Sequence, residues 1–133
     1  MTGQTMLRHV ERVMGMPVSF TLAPADASPD GSAPRVVCEW LHWVDATFST
    51  FRDDSEVSRI HQGSLPADRA HPLVRDVLDL CDDLYLRSDG IFDPYARGRL
   101  DPAGLVKGWA VERASRRAAR RHRLWRFHDQ CRR

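Results

Sequence analysis

Residues 101–114 read Asp101-Pro-Ala-Gly104-Leu-Val-Lys107-Gly108-Trp109-Ala-Val-Glu-Arg-Ala114. Pro, Ala and Gly make a compact turn, a Lys-Gly pair follows, and an amphipathic helix is expected to begin near Trp109. A helix opening with unpaired backbone N–H groups and a lysine beside them suits an anion such as a phosphate. Glycines in such a turn also serve backbone freedom and close packing alone, so the stretch by itself leaves both readings open.

Three further segments lie upstream in order: Val13–Phe20 (VMGMPVSF), Trp43–Ile60 (WVDATFSTFRDDSEVSRI) and Ser88–Tyr95 (SDGIFDPY). With Asp101–Ala114 they resemble the ApbE family, flavin transferases that move FMN from FAD onto a protein. The resemblance covers nearly all of residues 13–115 and stops there. It implies an α+β fold, T-fold-like, of which this chain is the N-terminal half. Residues 1–115 are the expected domain part and residues 116–133 an Arg-rich tail.

The charge distribution shows the same seam. The net charge of +2 divides into 12 basic against 17 acidic side chains up to Arg113, then eight arginines against the single Asp129. The hydrophobic content of 42% suffices for one modest core. Cys38, Cys81 and Cys131 are odd in number and widely spaced, with no C-x-x-C and no histidine read at ligand spacing, which argues against a disulfide framework or a zinc site. The first residues lack an apolar signal-peptide core, and no run is long enough to span a bilayer. A reduced, cytoplasmic protein is expected.

Along the chain, Val18, Phe20 and Leu22 mark one side of a strand whose start is disturbed by Gly15 and Pro17, as an edge strand with a bulge would be. Residues 23–34 are a Pro-, Ala-, Asp- and Ser-rich loop. Val36, Val37, Trp40, Leu41, Val44 and Phe48 recur at helical spacing, predicting a helix over 35–47 with Trp40 in its core face. Ser55 or Asp54 caps a short helical turn. Phe51 reads as a half-buried strand aromatic, and Arg52 as the partner of Asp53 or Asp54. Pro72 opens a helix whose stripe is Leu73, Val74, Val77, Leu80, Cys81 and Leu84 and which ends at Gly90; Asp76, Asp79, Asp82 and Asp83 form its solvated face.

The resemblance assigns roles that these patterns do not. It implies that the backbone at Met14 approaches the flavin nucleotide, with Met16 standing where the family has Thr. Phe51 would lie on the isoalloxazine ring in place of a Tyr, and His61 stands where the family has Asn. Ile91, Phe92 and Asp93 would line the nucleotide site. Asp101 would contact FAD, the Gly104 carbonyl would ligate Mg²⁺, and Lys107 would lie near the nucleotide. The implied reaction is Mg²⁺-dependent transfer of FMN from FAD to a Thr or Ser of a flavin-accepting target protein, releasing AMP.

The tail departs from the family pattern. With synonymous codons chosen for it, His122–Arg133 read one base out of frame is compatible with Thr-Gly-Phe-Gly-Asp-Phe-Thr-Ile-Asn-Ala-Gly-Gly, close to what the family carries there. Residues 116–133 are therefore expected to be out-of-frame translation, and the truncated chain to be inactive. The alternative is a non-catalytic remnant whose arginines, interleaved with Trp125 and Phe127, bind nucleic acid; this partner ranks below FAD and a target protein.

Overall fold

The computed structural model describes residues 7–22, 32–121 and 125–128. The element order is β1 (Leu7–Val13), β2 (Met16–Leu22), α1 (Ser32–Phe48), α2 (Glu56–Gln62), a 3₁₀ turn (Ala67–Arg69), α3 (Pro72–Arg87), α4 (Ala103–Arg121) and β3 (Trp125–His128). The fold is α+β. Most of the expected loop, residues 23–31, lies outside the described residues, as do residues 122–124 and 129–133 of the tail. The chain divides into two compact units, one of residues up to Trp43 and from Ala110 onward, the other Val44–Trp109.

The first unit holds a three-stranded antiparallel sheet in the order β1-β2-β3. Instead of one bulged strand, residues 7–22 form a hairpin closed by Val13↔Met16, with Met14 and Gly15 as its two-residue turn. Both turn residues have positive φ, 56° and 70°, the type I′ requirement that matches the twist of the flanking strands. Methionine is an uncommon occupant of that position, because its Cβ crowds the following carbonyl oxygen at a cost of about 1 kcal/mol. Met14→Asn, which tolerates left-handed backbone, is expected to raise the urea midpoint by the equivalent of about 0.5–1 kcal/mol. A lowered midpoint would show that the Met14 side chain contributes more by packing than its backbone costs.

One face of this hairpin carries His9, Glu11 and Val13 from β1 opposite Phe20, Val18 and Met16 of β2. Val13, Val18 and Phe20 are buried there, and among the described residues of this unit Val37, Trp40, Leu41, Ala110 and Ala114 are buried as well. Trp40 is core, as its spacing predicts. Its indole Nε1–H donates to the Ala110 carbonyl at 3.0 Å, and its ring stacks on Trp43 with centroids 5.4 Å apart.

The second unit is helical. Ser55 is the cap of α2: its Oγ accepts the Ser58 N–H at 3.1 Å and donates to the Ser49 carbonyl at 2.5 Å, which explains how a buried serine is satisfied. His71 caps α3, its Nδ1 accepting the Leu73 N–H at 3.1 Å, with Pro72 in the first turn. Val74, Val77 and Cys81 are the buried stripe of α3; Leu80 lies at the edge of that arc and is 43% exposed, contrary to its expected place in the core. Asp76, Asp79, Asp82 and Asp83 are exposed, as expected. The C-cap is Ser88, and the left-handed turn expected at Gly90 (φ 80°) begins one residue earlier, at Asp89 (φ 51°); the Gly90 N–H donates to the Tyr85 carbonyl at 2.9 Å.

The expected helix start at Trp109 is six residues late. Pro102 is buried, α4 begins at Ala103, and Gly104, Lys107 and Gly108 all lie within it. Val106 and Trp109 are buried at helical spacing, and Trp109 meets Phe48 edge-on with centroids 5.5 Å apart. That apolar face outweighs the roughly 1 kcal/mol that each glycine costs a helix interior. The helix also runs without a break through residue 116 to Arg121.

Candidate functional site

Seven of the eight residues singled out by resemblance belong to the second unit, and Met14 belongs to the first. Phe51 sits on the loop between α1 and α2. Its N–H donates to Ser49 Oγ at 3.2 Å, and the Ser49 carbonyl is gripped by the hydroxyls of Ser55 and Ser58. The backbone is held while the ring is 94% exposed, so Phe51 is a loop aromatic facing solvent and not a half-buried strand residue. Arg52 closes on Asp54 through two hydrogen bonds of 3.2 Å, which hold the Asp54 carboxyl below its usual range.

The segment after α3 is fastened to its neighbours by backbone bonds. The Phe92 N–H donates to Ser88 Oγ at 2.9 Å, and Asp93 Oδ1 accepts the Tyr95 N–H at 2.8 Å, so Asp93 orders an Asp-Pro turn. Ile91 stands 91% exposed at the start of this segment. The Asp101 N–H donates to the Pro94 carbonyl at 2.7 Å, bringing Asp101 to the turn of Asp93. Phe92 and Gly104 also meet, since a Cβ on Gly104 would lie 3.4 Å from the Phe92 ring.

Arg99, which sequence reasoning passed over, and His61 join these loops. Arg99 donates to the Thr50 carbonyl, beside Phe51, and His61 Nδ1 accepts the Leu100 N–H at 3.4 Å.

At the start of α4, Asp101 Oδ1 accepts the Ala103 N–H at 3.0 Å, while the N–H groups of Leu105 and Val106 reach the Pro102 carbonyl at 2.9 and 3.0 Å. The protein's own carboxylate thus occupies the helix end that the sequence alone offers to a phosphate. Lys107 is half-buried in the second turn. A separate groove of about 560 Å³ includes Ile60, Pro72, Asp79, Tyr95 and Leu100 in its wall, and none of the eight residues lines it.

The first unit holds a constellation that the sequence reading set aside. His9 and Glu11 alternate onto one face of β1, and Cys38 and His42 stand one turn apart on α1. His9 Nε2 lies 2.9 Å from Glu11 Oε2, and Cys38 Sγ lies 3.5 Å from His9 Nε2 and 3.4 Å from Glu11 Oε2. His42 Nε2 lies 2.7 Å from the other Glu11 oxygen. Hydrogen bonds from His9, then His42, then Cys38 hold the Glu11 carboxyl down at about 2, and burial together with Glu11 pushes the Cys38 thiol up to about 12. A cysteine and a histidine four apart on a helix, with His-x-Glu on a strand, were the available signal.

Fold and site define an α+β protein whose helical unit presents exposed apolar side chains on fastened loops near a carboxylate-capped helix. The sequence profile of the ApbE family matches residues 14–98, and the chain belongs to that family. Phe51, Ile91, Phe92, Asp93 and Met14 lie inside the matched stretch; Asp101, Gly104 and Lys107 lie beyond it. No curated protein and no solved structure matches the chain. Among the described residues no helix is long and apolar enough to cross a membrane.

Proposed function

We propose that the second unit binds the flavin nucleotide in the chemistry of FMN transfer from FAD to a Thr or Ser hydroxyl of a target protein. The observation that carries this reading is Phe51. A phenyl ring held 94% exposed on a hydrogen-bonded loop forgoes burial worth about 1.5–3 kcal/mol, and a flat partner such as isoalloxazine restores it by stacking. Ile91, 91% exposed, offers a second apolar contact.

In the reaction, the acceptor oxygen bonds to the FMN-side phosphorus and the bond from that phosphorus to the AMP oxygen breaks. AMP leaves, and the hydroxyl proton passes to solvent. Lys107 supplies a point charge for the pyrophosphate, and Asp101 fixes the loop against Pro94 through its own N–H. The Asp101 carboxylate oxygen not used in capping and the Gly104 carbonyl are hard donors that fit Mg²⁺ in type. When bound, Mg²⁺ supplies charge neutralisation at the pyrophosphate.

Asp93 and Asp101 each commit one carboxylate oxygen to a backbone N–H, and no residue is assigned as a general base. The share proposed for this chain is nucleotide binding, with little or no turnover. Incubation with FAD, Mg²⁺ and a flavin-accepting protein is expected to leave no fluorescent flavin on the acceptor after a denaturing gel. A covalent flavin band that requires the chain would contradict the assignment of binding alone.

A further inference from the structure

We propose that His9, Glu11 and Cys38 form a binding site for a Zn²⁺-class cation in the first unit, separate from any Mg²⁺ of the flavin chemistry. The three donor atoms lie within 4.8 Å of one another. Zinc bonds of about 2.0–2.1 Å to nitrogen, 2.0–2.2 Å to oxygen and 2.3 Å to sulfur, opened to a tetrahedral angle, separate S from N or O by about 3.5 Å and N from O by about 3.4 Å. The observed separations from Cys38 Sγ are 3.5 and 3.4 Å, so these two edges of the tetrahedron already stand. The third edge, 2.9 Å between His9 Nε2 and Glu11 Oε2, opens by about 0.5 Å as the cation displaces the hydrogen bond.

The placement is unusual for structure alone. His9 and Glu11 occupy the same sheet face as buried Val13, Val18 and Phe20, where period-two patterning calls for apolar side chains. Each ligand remains partly open to solvent, with His9 at 39% and Glu11 at 25% side-chain exposure and Cys38 half-buried. His42 is a positioning residue: it holds the second Glu11 oxygen at 2.7 Å, the outer-shell bond that metal-ligating carboxylates commonly keep. One imidazole nitrogen, one carboxylate and one thiolate select Zn²⁺ or Co²⁺ over Mg²⁺, which prefers oxygen alone. As the S–metal bond forms, the Cys38 proton is released to solvent.

The test is a titration of the tag-free 133-residue protein with Co²⁺. One equivalent is expected to bring up a thiolate-to-cobalt charge-transfer band in the near ultraviolet and intense tetrahedral bands in the visible. Zn²⁺ removes both, and excess Mg²⁺ removes neither. Cys38→Ser abolishes the charge-transfer band, Cys81→Ser and Cys131→Ser retain it, and His42→Gln weakens Co²⁺ binding by about 10–100-fold. A band that fails to saturate at one equivalent, or that survives Cys38→Ser, overturns the site. Independently of any variant, Zn²⁺ is expected to slow alkylation of Cys38, mapped by mass spectrometry, in the unaltered chain; equal rates with and without Zn²⁺ overturn it as well.

Discussion

Trp40→Ala is expected to cost about 3–5 kcal/mol, a large part of the 5–15 kcal/mol that stabilises a typical domain. The indole is buried among the apolar residues of the first unit, stacks on Trp43, and donates its N–H to the Ala110 carbonyl of α4. Truncation removes the largest side chain of that core and leaves a cavity where the neighbouring helices cannot fully collapse. Trp40→Phe separates the contributions. It keeps most of the apolar area and loses the hydrogen bond, and is expected to cost about 1–2 kcal/mol. Urea unfolding of the three proteins measures this. Midpoints for Trp40→Ala within about 0.5 kcal/mol of the unaltered chain would mean that the packing described for this unit does not hold it together.

Phe51→Ala is expected to act in the opposite way, leaving stability within about 0.5 kcal/mol while weakening FAD. A ring 94% exposed has little packing to lose, and the loop conformation rests on backbone and serine bonds that the substitution keeps. Stacking of a planar base on an aromatic is worth about 1–3 kcal/mol by alanine substitution, which is roughly 5- to 150-fold in Kd. Phe51→Tyr is expected to restore affinity because it returns the same π-face. Loss of stability in Phe51→Ala with unchanged FAD affinity would assign the ring to the fold and remove the observation on which the functional reading rests.

Helices α1 and α3 were legible because their apolar residues recur with the helical period over four turns, and the starts of α2 and α3 because Ser55 and Pro72 are residues whose own chemistry begins a helix. The hairpin was not, since Met14 replaces the Asn or Asp that announces a type I′ turn, and only the chain's tertiary setting holds a methionine at φ 56°. The start of α4 was misplaced for a related reason. Gly104 and Gly108 carry the local signal of a loop, whereas Val106, Trp109, Ala110 and Ala114 carry the signal of a buried helix face, and burial decides. Family resemblance supplied the residues assigned to the flavin, but the sequence could not show that the Asp101 carboxylate, assigned to FAD, accepts the Ala103 N–H at the start of α4. The cluster of His9, Glu11 and Cys38 was hidden because two local spacings, i to i+2 on a strand and i to i+4 on a helix, become one site only when α1 packs on the hairpin.

The most direct measurement of the central claim is a fluorescence titration of FAD with the purified 133-residue chain in the presence of Mg²⁺, repeated with Phe51→Ala. Saturable quenching of the flavin at one equivalent, weakened about 5- to 150-fold by Phe51→Ala, is the expected result. No saturable binding, or binding indifferent to Phe51, would contradict the assignment of the second unit to the flavin nucleotide.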